Sequence, residues 1–160
     1  MVASEAVLKT VKRLAKKYEI EYSTPNSIHF ITGIDVDLKS FENKLPWGRL
    51  TKEDHIDTNF VEFFIHKLDW YNISIVADLT EEFIEQYQDQ LNWSMLSQHQ
   101  DLSEKFMNKH LDKLDWSKIV IGQALSEDFI LSHLDKLPTH SLFCFQKLSP
   151  DFRYKYFGRG

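Results

Sequence analysis

The four tryptophans, Trp47, Trp70, Trp93 and Trp116, each stand 23 residues after the one before. Equal sequence at a fixed period imposes equal local structure, so such a chain folds as a succession of similar units. With Trp as position 0, position 13 is Phe in five copies: Phe60, Phe83, Phe106, Phe129 and Phe152. Position 9 is Ile56, Leu79, Leu102, Leu125 and Leu148, and position 3 is Leu50, Ile73, Leu96, Ile119 and Leu142. The copies run 47–69, 70–92, 93–115, 116–138 and 139–160, the fifth with Thr139 in place of Trp. Copies three and four agree at 12 of 23 positions.

Within each copy the chemistry is that of two short helices. Position 10 is Thr80, Ser103, Ser126 or Ser149, hydroxyls suited to accept from the free N–H groups of a helix start. Acidic residues follow at Glu81, Glu82, Glu104, Glu127 and Asp128, where the positive end of the helix dipole favours them. Positions 13, 14, 17 and 21 are apolar or aromatic, which predicts a second helix of about three turns with one buried face. Pro46, Asp69, Asn92, Asp115 and Pro138 precede position 0 and start a first helix of about two turns that buries positions 0, 3 and 7. Lys67, Lys113 and Lys136 at position 20 suit the end of the second helix. So short a pair cannot bury both faces alone, and neighbouring copies must stack. The expected fold is mainly α: a short α-solenoid of five two-helix repeats, 47–160, behind an N-terminal segment, 1–46.

The pattern carried by Asn92, Trp93, Leu96, Ser97, Gln100, Leu102, Ser103, Glu104 and Phe106 resembles a tandem repeat of bacteriophage and large-DNA-virus proteins. The resemblance implies a helical repeat and a viral origin, and no activity. Copies one and five depart from it, with Asp54 for Gln and Thr139 for Trp, as capping copies do.

The N-terminal segment is built differently. Val7, Leu8, Val11, Leu14, Ala15 and Tyr18 recur at helical spacing over residues 4–18. Alternation over 19–24 and 28–32 around Pro25-Asn26-Ser27 predicts a β-hairpin, and 37–44 a short helix leading into copy one. A basic helix before two strands bearing His29 is similar to the double-stranded-RNA-binding-like fold of HicA-type toxins, without that family's Gly-Ser-His turn. The preferred role for His29 is a strand residue packed on the helix. The whole segment is expected to cap the solenoid.

Charge is uneven. Residues 1–20 carry five basic and two acidic side chains, so a chain of net charge −5 leaves −8 on the remainder. An acidic body repels phosphate backbones, so the alternative function, a nucleic-acid-binding or nuclease-related role, falls to the basic helix at Lys12, Arg13, Lys16 and Lys17. The single cysteine, Cys144, excludes an internal disulfide and any multi-cysteine zinc site. No apolar run is long enough to span a bilayer, and charges at Glu5, Lys9, Lys12 and Arg13 interrupt any secretory core. The expected setting is the cytoplasm, that of the host if the chain is viral.

No catalytic set emerges. His110 and His133 share position 17 with Phe64, Tyr87 and Tyr156, a column for ring packing. Asp89, Asp112 and Asp135 read as helix-end solvation, and Gln100, Gln123 and Gln146 as hydrogen-bonding partners of the inter-repeat turns. Cys144 has no identifiable base, and the chain lacks the P-loop, dinucleotide, zinc-protease and serine-hydrolase motifs. The expectation is a protein without catalytic residues, bound metal or cofactor. What varies between copies is the end of the first helix, with Ile75, Val76, Gln98, His99, Ile121 and Phe145. Apolar residues at variable positions expected to face solvent predict a surface that docks a protein partner.

Overall fold

The computed structural model describes residues 3–21 and 38–158. Among these the chain is mainly helical, with eleven short α-helices and two two-residue strands. It divides into two compact units, Met1–Gln90 and Leu91–Gly160.

The first unit opens with α1 (Glu5–Lys17), whose start is capped by the Ser4 hydroxyl accepting from the Val7 N–H. It buries Val7, Thr10, Val11, Leu14 and Ala15, one face at the three- and four-residue spacing of a helix. Glu19 takes a left-handed φ of 51°, which lets the Ile20 N–H turn back to the Ala15 carbonyl at 2.9 Å, a hydrogen-bonded helix stop. Residues 19–21 therefore leave the helix in a turn and do not begin the expected strand. The rest of the expected hairpin, His29 included, lies outside the described residues. Helix α2 (Leu38–Lys44) follows where the sequence placed it and buries Phe41 completely.

Copy one departs from the two-helix pattern. Its first helix is replaced by two single 3-10 turns, Trp47–Arg49 and Lys52–Asp54, with Leu50 extended between them. The cause is local: Thr51 and Asp54 form a reciprocal cap that starts a new turn inside the segment. The Asp54 carboxylate is 1% exposed. It accepts from Lys17 Nζ at 2.6 Å, the Thr51 N–H at 2.8 Å and the Tyr18 hydroxyl at 3.0 Å. Burial on its own would raise this carboxyl, but the ammonium, the amide and the phenol together hold it below the ordinary carboxylate range. This cluster ties α1 to copy one.

Asp57 caps α3 (Thr58–Phe63), Asp69 caps α4 (Trp70–Val76) and Thr80 caps α5 (Glu81–Gln86). Strands β1 (Ile56–Asp57) and β2 (Ala77–Asp78) pair in parallel, with Ile56 opposite Ala77. The sequence pattern gave no sign of this pairing.

The second unit repeats one plan through α6 (Trp93–His99), α7 (Glu104–Lys109), α8 (Trp116–Gly122), α9 (Glu127–Ser132), α10 (Thr139–Phe145) and α11 (Pro150–Phe157). Asn92 and Asp115 cap the first helices, and Ser103, Ser126 and Ser149 the second, each side chain accepting from the N–H three residues on. Helix α6 packs on α8, and α8 on α10. One cluster joins copies four and five: Val120, Ile130 and Leu137 with Leu142, Leu148 and Phe152.

In copies four and five the position-7 glutamine joins the copy to the one before. Gln123 Nε2 donates to the Ser97 and Gln100 carbonyls at 3.0 and 2.6 Å, and its Oε1 accepts from the Leu102 N–H at 3.1 Å. Gln146 repeats the clamp one copy later, donating to the Val120 and Gln123 carbonyls and accepting from the Leu125 N–H. Each amide thus satisfies the carbonyl end of the preceding first helix, groups that would otherwise be buried without partners. In copy two the column holds Ala77, which has no amide to offer. There the backbone itself moves in, and the β1–β2 pairing takes the place of the clamp. A second link runs through position 11: Glu104 accepts from the Ser126 N–H at 2.7 Å and from its hydroxyl at 3.0 Å, and Glu127 from the Ser149 N–H at 2.6 Å.

Two expectations are corrected. The second helices of copies one to four span six residues each and stop at position 16. The ring at position 17 turns inward, His110 lying 4.6 Å from Phe106 and 5.1 Å from Trp93, and His133 likewise between Phe129 and Trp116. A separate turn then follows, closed from the position-20 N–H to the position-17 carbonyl at Lys67, Gln90, Lys113 and Lys136. Position 20 is accordingly not a helix end. Lys113 and Lys136 instead lie over the indoles of Trp93 and Trp116, at 5.4 and 5.2 Å, and cover tryptophans that are only half-buried.

Candidate interaction surface

The variable positions at the ends of the first helices do not share one environment. Val76 is 8% exposed and belongs to the core; as the last residue of α4, beside the β1–β2 pairing, it faces inward. The expectation of a partner contact there is corrected. Ile75, in the first unit, is half-buried, and so are Gln98 and His99 at the end of α6. Ile121 and Phe145 stand out, 42% and 55% exposed. They sit at the ends of α8 and α10, two helices in direct contact.

The geometry of this edge is set by a close approach. A Cβ added to Gly122 would meet backbone atoms of Gln98, 2.6 Å from its Cα, so α8 reaches α6 with no room for a side chain at that point. Beside this close approach Ile121 is exposed and Gln98 is half-buried. Among the described residues of the second unit, the large hydrophobic side chains that stand exposed are Ile121, Phe143, Phe145, Tyr154 and Tyr156. Tyr71 does the same in the first unit, at 52%.

The four cations proposed for nucleic acid are divided. Lys12 and Lys16 are exposed. Arg13 donates to the His55 carbonyl at 2.9 Å, and Lys17 is spent on Asp54. The hydrogen bond to Asp54 holds the Lys17 ammonium above its ordinary value. Among the described residues, Arg13 and Lys17 thus help hold α1 in place, and Lys12 and Lys16 remain exposed to solvent.

Among the described residues, no three His, Cys, Asp or Glu side chains are placed to hold a metal ion. Cys144 is exposed, its Sγ 3.8 Å from His140 Nε2 one turn earlier on the same helix. The perturbed carboxylates have structural causes. The Ser117 hydroxyl, ahead of Ser94 and the backbone, lowers Asp115, and a hydrogen bond from His66 lowers Glu42. Compared with known proteins, the chain matches no family model, no curated sequence and no solved structure. Among the described residues no helix is long and apolar enough to cross a membrane.

Sequence reasoning missed three features of these surfaces. The Glu-to-Ser link between copies was legible as a recurrent Glu at position 11 beside a recurrent Ser at position 10. The close approach at Gly122 had one signal, a glycine inside a helix between isoleucine and the clamp glutamine. The third is Arg153, at position 14, where copies one to four have Val61, Ile84, Met107 and Ile130.

Proposed function

We propose that the chain is a short α-solenoid of five two-helix copies, closed at its start by the first 46 residues, that works as a non-enzymatic protein-interaction module. The viral repeat it resembles suggests a phage or viral factor acting on a host protein in the host cytoplasm. The observation that carries this reading is the contrast at one edge of the second unit. Core columns stay constant from copy to copy, while Ile121 and Phe145 present large apolar side chains to solvent on adjoining helices. Solenoid proteins use such edges, because side chains there change without disturbing the stack. A nucleic-acid role through α1 is the lesser reading, since Arg13 and Lys17 are committed within the fold.

The test is affinity capture from the natural host or source with the wild-type chain and an Ile121→Glu/Phe145→Glu variant. A specific protein retained by the wild type, and lost with the variant at unchanged helical content, supports the reading. Equal capture by both, or no specific capture, contradicts it. Unfolding of the variant would show the edge to be core. A parallel titration with single-stranded and duplex oligonucleotides at low salt addresses α1: binding that a Lys12→Glu/Lys16→Glu variant abolishes would favour the lesser reading.

A further inference from the structure

The first and second helices of the second unit differ in charge. Residues 93–99, 116–122 and 139–145, which form α6, α8 and α10, contain no Asp or Glu. The second helices α7, α9 and α11 carry Glu104, Glu127, Asp128 and Asp151. In a chain of net charge −5, these copies thus keep carboxylates off their first helices. The fixed charge found there is positive, Lys118 on α8, half-buried. Position 8, just past the clamp residue, is Asp101 in copy three, Ala124 in copy four and Lys147 in copy five, so the acid beside α6 gives way to a cation beside α10. Among the described residues neither Lys118 nor Lys147 is paired with a carboxylate. Asp115, at the opposite end of α8 from Ile121, already accepts from the Ser94 and Ser117 hydroxyls.

The same edge is apolar between its cations. Gly122 against Gln98 is position 6 against position 5 of the copy before. The corresponding residues of the next pair are Phe145 and Ile121. A single Cβ at Gly122 would already overlap backbone, so α10, with a whole ring at that position, cannot close on α8 as α8 closes on α6. Neither side chain is taken into the stack, Ile121 being 42% and Phe145 55% exposed. Lys118 precedes Ile121 by three residues on α8 and so shares its face.

We propose that this edge, at the ends of α8 and α10, takes a partner-protein segment in which a large apolar side chain is flanked by Asp or Glu. The apolar side chain covers Ile121 and Phe145, and the carboxylates meet Lys118 and Lys147. Covering exposed apolar surface supplies the attraction, while the opposite charge beside it fixes orientation and rejects basic competitors. A second copy meeting this edge with its own would set lysine against lysine, which is unfavourable. An acidic amphipathic helix laid across the two helix ends is the simplest such segment. The inference rests on the reading of the chain as a protein-interaction module and names the chemistry of its partner.

The test selects random peptides of about 16 residues, roughly four helical turns, displayed on phage and captured by the immobilised full chain. Peptides recovered on the wild type are expected to combine an aromatic or branched apolar residue with an excess of Asp and Glu. By fluorescence anisotropy they should bind at least about tenfold more weakly to Ile121→Glu/Phe145→Glu, which removes the central anchors. A Lys118→Glu/Lys147→Glu variant, which leaves Ile121 and Phe145 in place, should select peptides rich in Lys and Arg instead, and it keeps the test decisive if the first variant fails to fold. Recovery of no peptide, of peptides without excess carboxylates, or of peptides indifferent to Ile121 and Phe145 overturns the proposal. So does self-association of the wild type, seen by sedimentation equilibrium, that Ile121→Glu/Phe145→Glu abolishes, since a second copy is then the occupant. The interaction reading outlives each of these results if a specific host protein is still captured, and falls only when that capture fails as well.

Discussion

Replacing Gly122 with alanine sets two physical effects of opposite sign against each other. Helix propensity alone favours Ala over Gly by about 1 kcal/mol in a helix interior, and Gly122 is the last residue of α8, so the gain is at most that. Against it stands the approach of α8 to α6, where the new Cβ would lie 2.6 Å from the Gln98 Cα and 2.7 Å from its carbonyl carbon. Carbon atoms in contact sit about 3.5–4.0 Å apart, so the overlap is on the order of 1 Å. It is with backbone, which cannot swing aside as a side chain can, so α8 must retreat. Ile119 and Val120, both fully buried on α8, would then lose contact together with the Gln123 clamp. Overpacking of this kind costs about 1–3 kcal/mol, and the net expectation is a destabilisation of about 1–2 kcal/mol. Urea unfolding followed by circular dichroism reads this as a midpoint lowered by about 0.5–1 M at unchanged slope, for a slope of about 2 kcal/mol per M. Gly48→Ala is the control, since an added Cβ there meets nothing within 4 Å, and it should leave the midpoint unchanged or raised. Gly122→Ala at or above wild-type stability would refute the close approach as the reason for glycine at this position.

Three further outcomes follow from the first and second units. Asp54 has a lowered folded-state pKa, so its contribution is present above the ordinary carboxylate value of about 3.9 and is lost as pH falls through the folded value; Asp54→Asn should flatten the acid limb of a stability–pH curve, and an unaltered limb would contradict the pairing. Lys17 has a raised value, so its side of the same pair is present below the ordinary lysine value of about 10.4 and fades only as pH rises past its folded value; Lys17→Met should remove the corresponding alkaline loss. Glu19→Gly should raise the melting temperature, because Glu19 holds a left-handed φ of 51° that costs a non-glycine residue about 1 kcal/mol, and a lowered temperature would argue against that turn.

Much of the fold was legible because caps and columns are local. Ser103, Ser126 and Ser149 cap helices where the hydroxyl and the acidic turn after it predicted them, and the position-13 phenylalanines are buried in all five copies. The length of the second helix was misread. A helical face continued through position 17 and position 21 satisfies the same apolar spacing as a helix that stops and a turn that follows. Only the inward tilt of His110 and His133 onto their tryptophans distinguishes them. Copy one was misread for a related reason: Thr51 and Asp54 fit the helical register, yet cap each other and break the helix. The candidate surface was half legible. Ile121 and Phe145 are exposed as the variation between copies implied, whereas Val76, in the same column as Phe145, is buried, because exposure there depends on how the neighbouring backbone closes over it. In copy two that closure follows from Ala77, whose missing amide brings in the β1–β2 pairing.

The most direct test of the central claim, that the Gln123 and Gln146 amides bind copies four and five each to the copy before, is native-state hydrogen exchange at the Leu102 and Leu125 amides. The Leu102 N–H donates to Gln123 and the Leu125 N–H to Gln146, so both should exchange among the slowest in the second unit. In a Gln123→Met variant the Leu102 amide should exchange at least about tenfold faster, for a lost hydrogen bond of about 1 kcal/mol or more, while Leu125 stays slow relative to its neighbours. Fast exchange at Leu102 in the wild type, or no change on removing Gln123, would contradict the account.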